Sequence, residues 1–276
     1  MNEDMSLKAK IRNLAESMNL PAQVILQNFL FERFLDRLSR TDYQDKFILK
    51  GGILVSAIVG LTNRATMDLD ATVKGLPLSE DVLRKAIQTI CLCPSTDGIE
   101  FSIQTIDPIR KNDAYGGYRV SIAAKFGKIN ACLYMDISTG DVITPNPVPL
   151  VFTPMFDSEH PFSLWAYNIE TILAEKVETI LRRGPFNTRP RDFYDAYVLS
   201  STQTYNLKTF REALSSTAKH RGTLEQISNY EAILATLHGS AELRSMWEKY
   251  RRQFDYAKDI EYDEILDVIR VMLIGN

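Results

Sequence analysis

The chain has 276 residues, 45% hydrophobic and 24% charged, enough apolar content to bury one large core or two modest ones and too much for a disordered chain. Its formal net charge of −3 gives no global attraction for nucleic acid, so an RNA or DNA partner has to be held by a local basic patch. Cys91, Cys93 and Cys132 lack the CxxC spacing of zinc and redox sites, the polar segment Met1 to Lys10 has no signal-peptide core, and no stretch approaches a membrane span, so a soluble cytoplasmic protein with no membrane association is expected.

From Leu7 to Leu38 apolar residues recur at helical spacing, broken at Asn19-Leu20-Pro21, which predicts two helices, the second over Ala22 to Leu38. Phe47-Ile48-Leu49 leads into Lys50-Gly51-Gly52, and Ile53 to Val59 reads as an apolar helix opening directly behind the two glycines. Met67 to Val73 and Ile99 to Ile106 alternate with period two and read as strands, with a helix opened by Ser79-Glu80-Asp81 between them. Tyr118 to Phe126 and Ile129 to Ile137 form a hairpin about Gly127-Lys128. Pro145, Pro147, Pro149 and Pro154 resist helix and central strand and mark a domain junction. Beyond them the pattern turns helical: Ser163 to Arg183, a helix beginning at Pro190, and several more from Leu207 to Asn276.

Asp68 and Asp70 stand two apart on a predicted strand and so face one way, with Met67, Leu69 and Ala71 toward the core. Two adjacent carboxylates repel unless a divalent cation lies between them, and hard oxygen donors beside a triphosphate suit magnesium; a solvated strand face is the alternative. Gly51-Gly52 at a helix start offers backbone N–H groups for phosphate, and glycine permits close approach. Asp136 is a lone acid in the apolar run Leu133 to Ile137, either a third metal ligand or general base, or a carboxylate capping the Ser138-Thr139-Gly140 turn. Asp68, Asp70 and Asp136 are therefore the candidate metal ligands.

Gly51-Gly52, Asp68-x-Asp70 and the later Asp136 together resemble the signature of the polymerase-β-like nucleotidyltransferase superfamily. More specifically, Phe47 to Gly52 followed by Arg64-x-Thr66-x-Asp68-Leu69-Asp70 resembles the AbiEii/AbiGii toxins of type IV toxin–antitoxin and phage-defence operons, over the N-terminal helices to about Leu199. The resemblance implies a magnesium-dependent transfer of nucleotides from a nucleoside triphosphate to RNA, a tRNA acceptor end, with growth arrest as outcome. It implies nucleotide contacts from Lys50, Gly51, Gly52, Arg64 and Thr66, and an antitoxin encoded in the same operon that acts without tight binding. Many superfamily members have Gly-Ser where this chain has Gly51-Gly52, so a serine contact to phosphate is absent and backbone contacts take its place.

Ile169, Ile172, Leu173, Lys176, Val177 and Ile180 share one helical stripe, which puts Lys176 among apolar neighbours, either snorkelling to solvent or reaching phosphates. Ala174-Glu175-Lys176 matches an Ala-Glu-Lys-like context that contributes to the active site in the resembling toxins. Arg189-Pro190-Arg191-Asp192-Phe193-Tyr194-Asp195 resembles their Arg-x-Lys/Arg-Asp-x-x-Asp element, which carries Asp192 into the catalytic set with Asp195 as the fallback; an acid after Pro190 is also favoured by the helix dipole alone. Arg182, Arg183, Arg189 and Arg191 flank a turn and suit phosphate or RNA, or pairing with nearby acids, while Phe186, Tyr194 and Tyr197 stack a base or belong to the core.

The expected fold is α+β: a nucleotidyltransferase-like mixed sheet with flanking helices over residues 1–150, then a mostly helical lobe over 151–276 completing the cleft. The rival functions are a metal-dependent nuclease using Glu175 and Lys176, and a non-catalytic protein that keeps the fold to bind a partner.

Overall fold

The computed structural model describes residues 3–109 and 116–274, which form eleven α-helices and seven strands. The mixed α+β class expected from the sequence is what these elements make. The chain divides into two compact units, Met1–Gly140 with Val148–Ala166, and Asp141–Pro147 with Tyr167–Asn276.

The first unit opens with α1 (Glu3–Met18), which ends where Asn19 takes φ 51, and α2 (Ala22–Ser39). On α2, Leu30, Phe31, Phe34, Leu35 and Leu38 are all essentially inaccessible, at about 1.5–3 kcal/mol of favourable transfer each. This face packs on the sheet through β5 and β7 and on α4. Strand β1 (Phe47–Lys50) runs straight into α3 (Gly51–Val59), and β2 (Leu69–Val73) is followed by α4 (Glu80–Cys91), whose Ser79 cap accepts a hydrogen bond from Val82 N. Strands β3 (Glu100–Ile109), β4 (Gly117–Phe126) and β5 (Ile129–Thr139) come next, then β6 (Val148–Phe152) and β7 (Phe162–Ala166).

The seven strands form one mixed sheet in the order β3-β4-β5-β2-β1-β7-β6. β2 is antiparallel to β1 and parallel to β5, whose other neighbour, β4, is antiparallel. On β5, Leu133, Met135 and Ile137 are buried while Tyr134, Asp136 and Ser138 are not, so the even positions share the less covered face.

Three sequence expectations differ from the structure. The helix expected from Ser163 begins only at Ile169 (α5, Ile169–Arg183), where Asn168 accepts from Thr171 N and caps it. Phe162–Ala166 instead alternates buried and exposed and pairs with β1 and β6, because its period-two face fits a pleated sheet. The proline-rich segment holds β6 at the sheet edge, where Pro149 lacks a donor at little cost, and residues 148–166 thereby join the first unit although the junction was expected at residue 150. Met67, expected to face the core, is 37% exposed because it precedes β2 and escapes its alternation.

The second unit is helical. Around α5 are α6 (Pro190–Thr202), α7 (Leu207–His220), α8 (Leu224–Ser228) and α9 (Tyr230–Gly239), and α10 (Ala241–Gln253) and α11 (Tyr262–Ile274) complete it. Glu178 on α5 is fully buried, held by Arg182 Nε at 3.0 Å, Thr223 Oγ1 at 2.9 Å and the Arg221 guanidinium, so its charge is matched on every side. Among the described residues, no helix is long and apolar enough to cross a membrane.

Candidate active site

The site is a row of charged side chains across the middle of the sheet. In register, Lys50 of β1 lies opposite Asp70 of β2, Asp70 beside Asp136 of β5, and Asp136 opposite Arg119 of β4. Register partners on adjacent strands point to the same face, and neighbouring strands lie about 4.8 Å apart. Asp70 and Asp136 therefore stand side by side on one face. Asp68 precedes Asp70 by two residues, and its charge, with that of Asp70, helps to raise the Arg119 pKa, after the larger effect of Asp136.

Arg119 is the residue sequence reasoning missed. Its Nε and Nη2 each donate to one oxygen of Asp136 at 2.7 Å, a bidentate pair that engages both carboxylate oxygens. Asp136 lies inside β5, so the turn-capping alternative does not describe it. An alternating Gly117-Tyr118-Arg119-Val120 segment was visible in the sequence, but only the hairpin register assigns Arg119 to Asp136.

Gly51 supplies the close approach. It sits at φ +67, and a Cβ there would lie 2.0 Å from Asp70 Oδ2 and 2.6 Å from its Cγ, so no larger residue fits over that carboxylate. α3 has no side-chain cap, which leaves its first N–H groups directed outward from the glycine turn. Thr66 and Arg64 are buried against Gly52, whose absent Cβ would fall 2.7 Å from Thr66 Oγ1 and 3.4 Å from Arg64 Nη2. Thr66 is held in turn by Asn28 Nδ2, which donates to its carbonyl at 3.0 Å. Arg64 and Thr66 thus brace the glycine turn from behind.

Asp68, exposed just before β2, and Asp70, half-buried on it, offer hard oxygen donors that would suit a magnesium ion once phosphates and water complete the shell. Among the described residues, no group of three or more His, Cys, Asp or Glu is disposed to hold a metal together, and Asp136 is engaged by Arg119 instead.

In the second unit, Lys176 neither snorkels freely nor sits in a dry stripe. Its Nζ lies 2.9 Å from Asp192 Oδ1 and 2.8 Å from Asp195 Oδ2, and both aspartates are buried. The choice between Asp192 and Asp195 is therefore not exclusive, since one lysine serves both. Arg189 Nε approaches Asp192 Oδ2 at 3.0 Å, but out of line, so that oxygen keeps an ionic contact without a hydrogen bond. Of the other arginines, Arg182 binds Glu178 and Arg191 lies over the Phe254 ring, its guanidinium carbon 5.9 Å from the centroid. Tyr194 is buried in a cluster with Tyr250 and Tyr256 and is core, whereas Phe186 is exposed. Burial pushes the Cys91 thiol up to about 11, which leaves it inert as a nucleophile.

Comparison with known proteins bears first on the fold. A Helicobacter pylori protein described as a nucleotidyltransferase shares the fold at TM-score 0.50 and 18% identity, over 92% of this chain and 96% of that one. JHP933 from Helicobacter pylori (TM-score 0.48, 20% identity, 92% and 93% covered) and an antigenic nucleotidyltransferase-like protein from Paracoccidioides brasiliensis (0.41, 14%, 75% and 92%) are more distant in structure. No curated protein matches the chain. The model of the family described as "Nucleotidyl transferase AbiEii toxin, Type IV TA system" matches residues 33–268. The chain belongs to that family of toxin-type nucleotidyltransferases.

Proposed function

We propose that this protein transfers a nucleotide from a nucleoside triphosphate to the hydroxyl end of an RNA, a tRNA acceptor end, and thereby arrests growth or aborts phage infection. The observation that carries the reading is the placement of Asp70 and Asp136 as register partners on one sheet face, with Asp68 two residues away and the Gly51 turn pressed on Asp70.

Asp68 and Asp70 hold the magnesium ion, which supplies charge neutralisation for the phosphates. The N–H groups opening α3 bind phosphate oxygens, and Lys50, adjacent to Asp70 in register, adds a positive charge at the same end. Asp136 is the carboxylate left to take the proton from the attacking hydroxyl as that oxygen bonds to the α-phosphorus and pyrophosphate departs. Positioning and electrostatic stabilisation account for most of the acceleration in chemistry of this kind. Lys176 and Asp192 remain functional candidates through the family's motifs. A nuclease built on Glu175 and Lys176 is the weaker reading, because Glu175 is paired with Arg221 at 2.7 Å. The type IV family also supports an antitoxin partner, which on this reading is encoded beside the gene and acts without a tight complex.

The test is incubation of the purified protein with labelled nucleoside triphosphates, total tRNA and magnesium. Label on tRNA with release of pyrophosphate is expected; RNA shortened without pyrophosphate, or no label at all, defeats the proposal.

A further inference from the structure

The acidic row has three carboxylates but two resident cations, and the cation at Asp136 is organic. Both oxygens of Asp136 receive hydrogen bonds from one guanidinium at 2.7 Å. A metal ion binds a carboxylate through the same oxygens, and a guanidinium that takes one lone pair on each and neutralises the charge disfavours a second cation there. Arg119 is itself flanked in register by Asp107 on β3, so an acid lies on either side of it. At the other end of the row Lys50 adjoins Asp70, and the full sequence along the sheet is Lys50, Asp70, Asp136, Arg119, Asp107.

We propose that Arg119 stands in place of a metal ion at Asp136, so that the free enzyme binds a single divalent cation, on Asp68 and Asp70, rather than two across three carboxylates. The inference rests on the metal pair of the proposed function and adds that Arg119 is a positioning residue: it fixes the orientation of Asp136 and keeps it out of the coordination shell. The arrangement agrees with the lack, among the described residues, of any three acids disposed around one ion. The Arg119 side chain is half exposed, at 49%, so Arg119 can be replaced without opening a cavity in the core.

The experiment is Mn2+ titration of the full chain, without nucleotide, with free ion followed by electron paramagnetic resonance. Wild type is expected to bind one Mn2+. Arg119→Met is expected to bind a second ion or to bind the first about fourfold more tightly, the effect of removing a unit charge about 10 Å, two strand spacings, from a divalent ion in a water-like dielectric. Arg119→Lys, which keeps the charge, should titrate near wild type, and matching circular dichroism spectra and melting curves show that each variant is folded. Two ions on wild type, none on wild type, or a folded Arg119→Met indistinguishable from wild type overturns the inference. Each of those results leaves the transferase reading to the label-transfer assay, which succeeds or fails independently of ion count.

Discussion

Replacing Gly51 with alanine should cost the enzyme both stability and activity, and the contacts around Asp70 say why. At φ +67 an alanine incurs about 1–2 kcal/mol of backbone strain. Its Cβ would also fall 2.0, 2.6 and 2.8 Å from Oδ2, Cγ and Cβ of Asp70, and the last of these atoms cannot rotate away. Displacing it shifts the strand, adding about 1–3 kcal/mol as in other overpacked sites. The total, about 3 kcal/mol, corresponds to a fall in Tm of roughly 10 °C. A shift of about 1 Å in the Asp70 carboxylate lowers transfer at least 10²-fold. Urea unfolding and label transfer measure the two effects, and a double-mutant cycle separates them. In an Asp70→Gly background, which removes the Cβ as well as the carboxylate, the clash is gone, so the stability cost of Gly51→Ala should shrink to its backbone part of about 1–2 kcal/mol. An equal cost in both backgrounds, or a Gly51→Ala enzyme within twofold of wild-type activity, refutes the close-approach argument. Gly52→Ala is the milder comparison, because its nearest neighbour is the rotatable Thr66 hydroxyl at 2.7 Å and its φ is not positive.

Lys176→Met should destabilise the protein by about 3 kcal/mol in thermal or urea unfolding, since it removes the lysine shared by two buried aspartates, of which Asp192 keeps Arg189, and adding Asp192→Asn and Asp195→Asn should restore most of the loss. A small effect for the single variant would show that the aspartates are compensated elsewhere. Burial pushes the Glu32 carboxyl from its ordinary 4.5 to about 7, against the opposing hydrogen bond from Met155 N. The native state therefore holds a proton that the unfolded chain has lost, and the stability present below pH 4.5 declines as pH rises through 7. Glu32→Gln should match wild type at pH 4 and exceed it by about 2–3 kcal/mol at pH 8, and parallel pH–stability curves for the two proteins would contradict this. Asp68→Asn and Asp70→Asn should each abolish label transfer, as should excess EDTA, with Tm of the nucleotide-free protein little changed. Transfer that persists in EDTA removes the metal from the account.

What the sequence determined is local. The period-two run around Asp68 and Asp70, the glycine pair opening an apolar helix, the hairpin around Gly127-Lys128 and the 3.6-residue stripe from Ile169 to Ile180 are all set by neighbours within a turn or a pleat. Those motifs also sufficed for the family resemblance, because they hold the glycine pair and the acidic pair that carry it. Strand β7 was misread because the helical stripe beginning at Ile169 was extended backward over Phe162–Ala166, whose alternation is satisfied only by pairing with β1 and β6. Tertiary structure alone decided the parallel register that sets Asp70 beside Asp136, the assignment of Arg119 to Asp136, and the sharing of Lys176 by Asp192 and Asp195. These are choices among partners distant along the chain. A slip of one residue between β2 and β5 would turn Asp136 to the opposite face without altering any local pattern, so only burial of one sheet face under α2 makes the pairing unique.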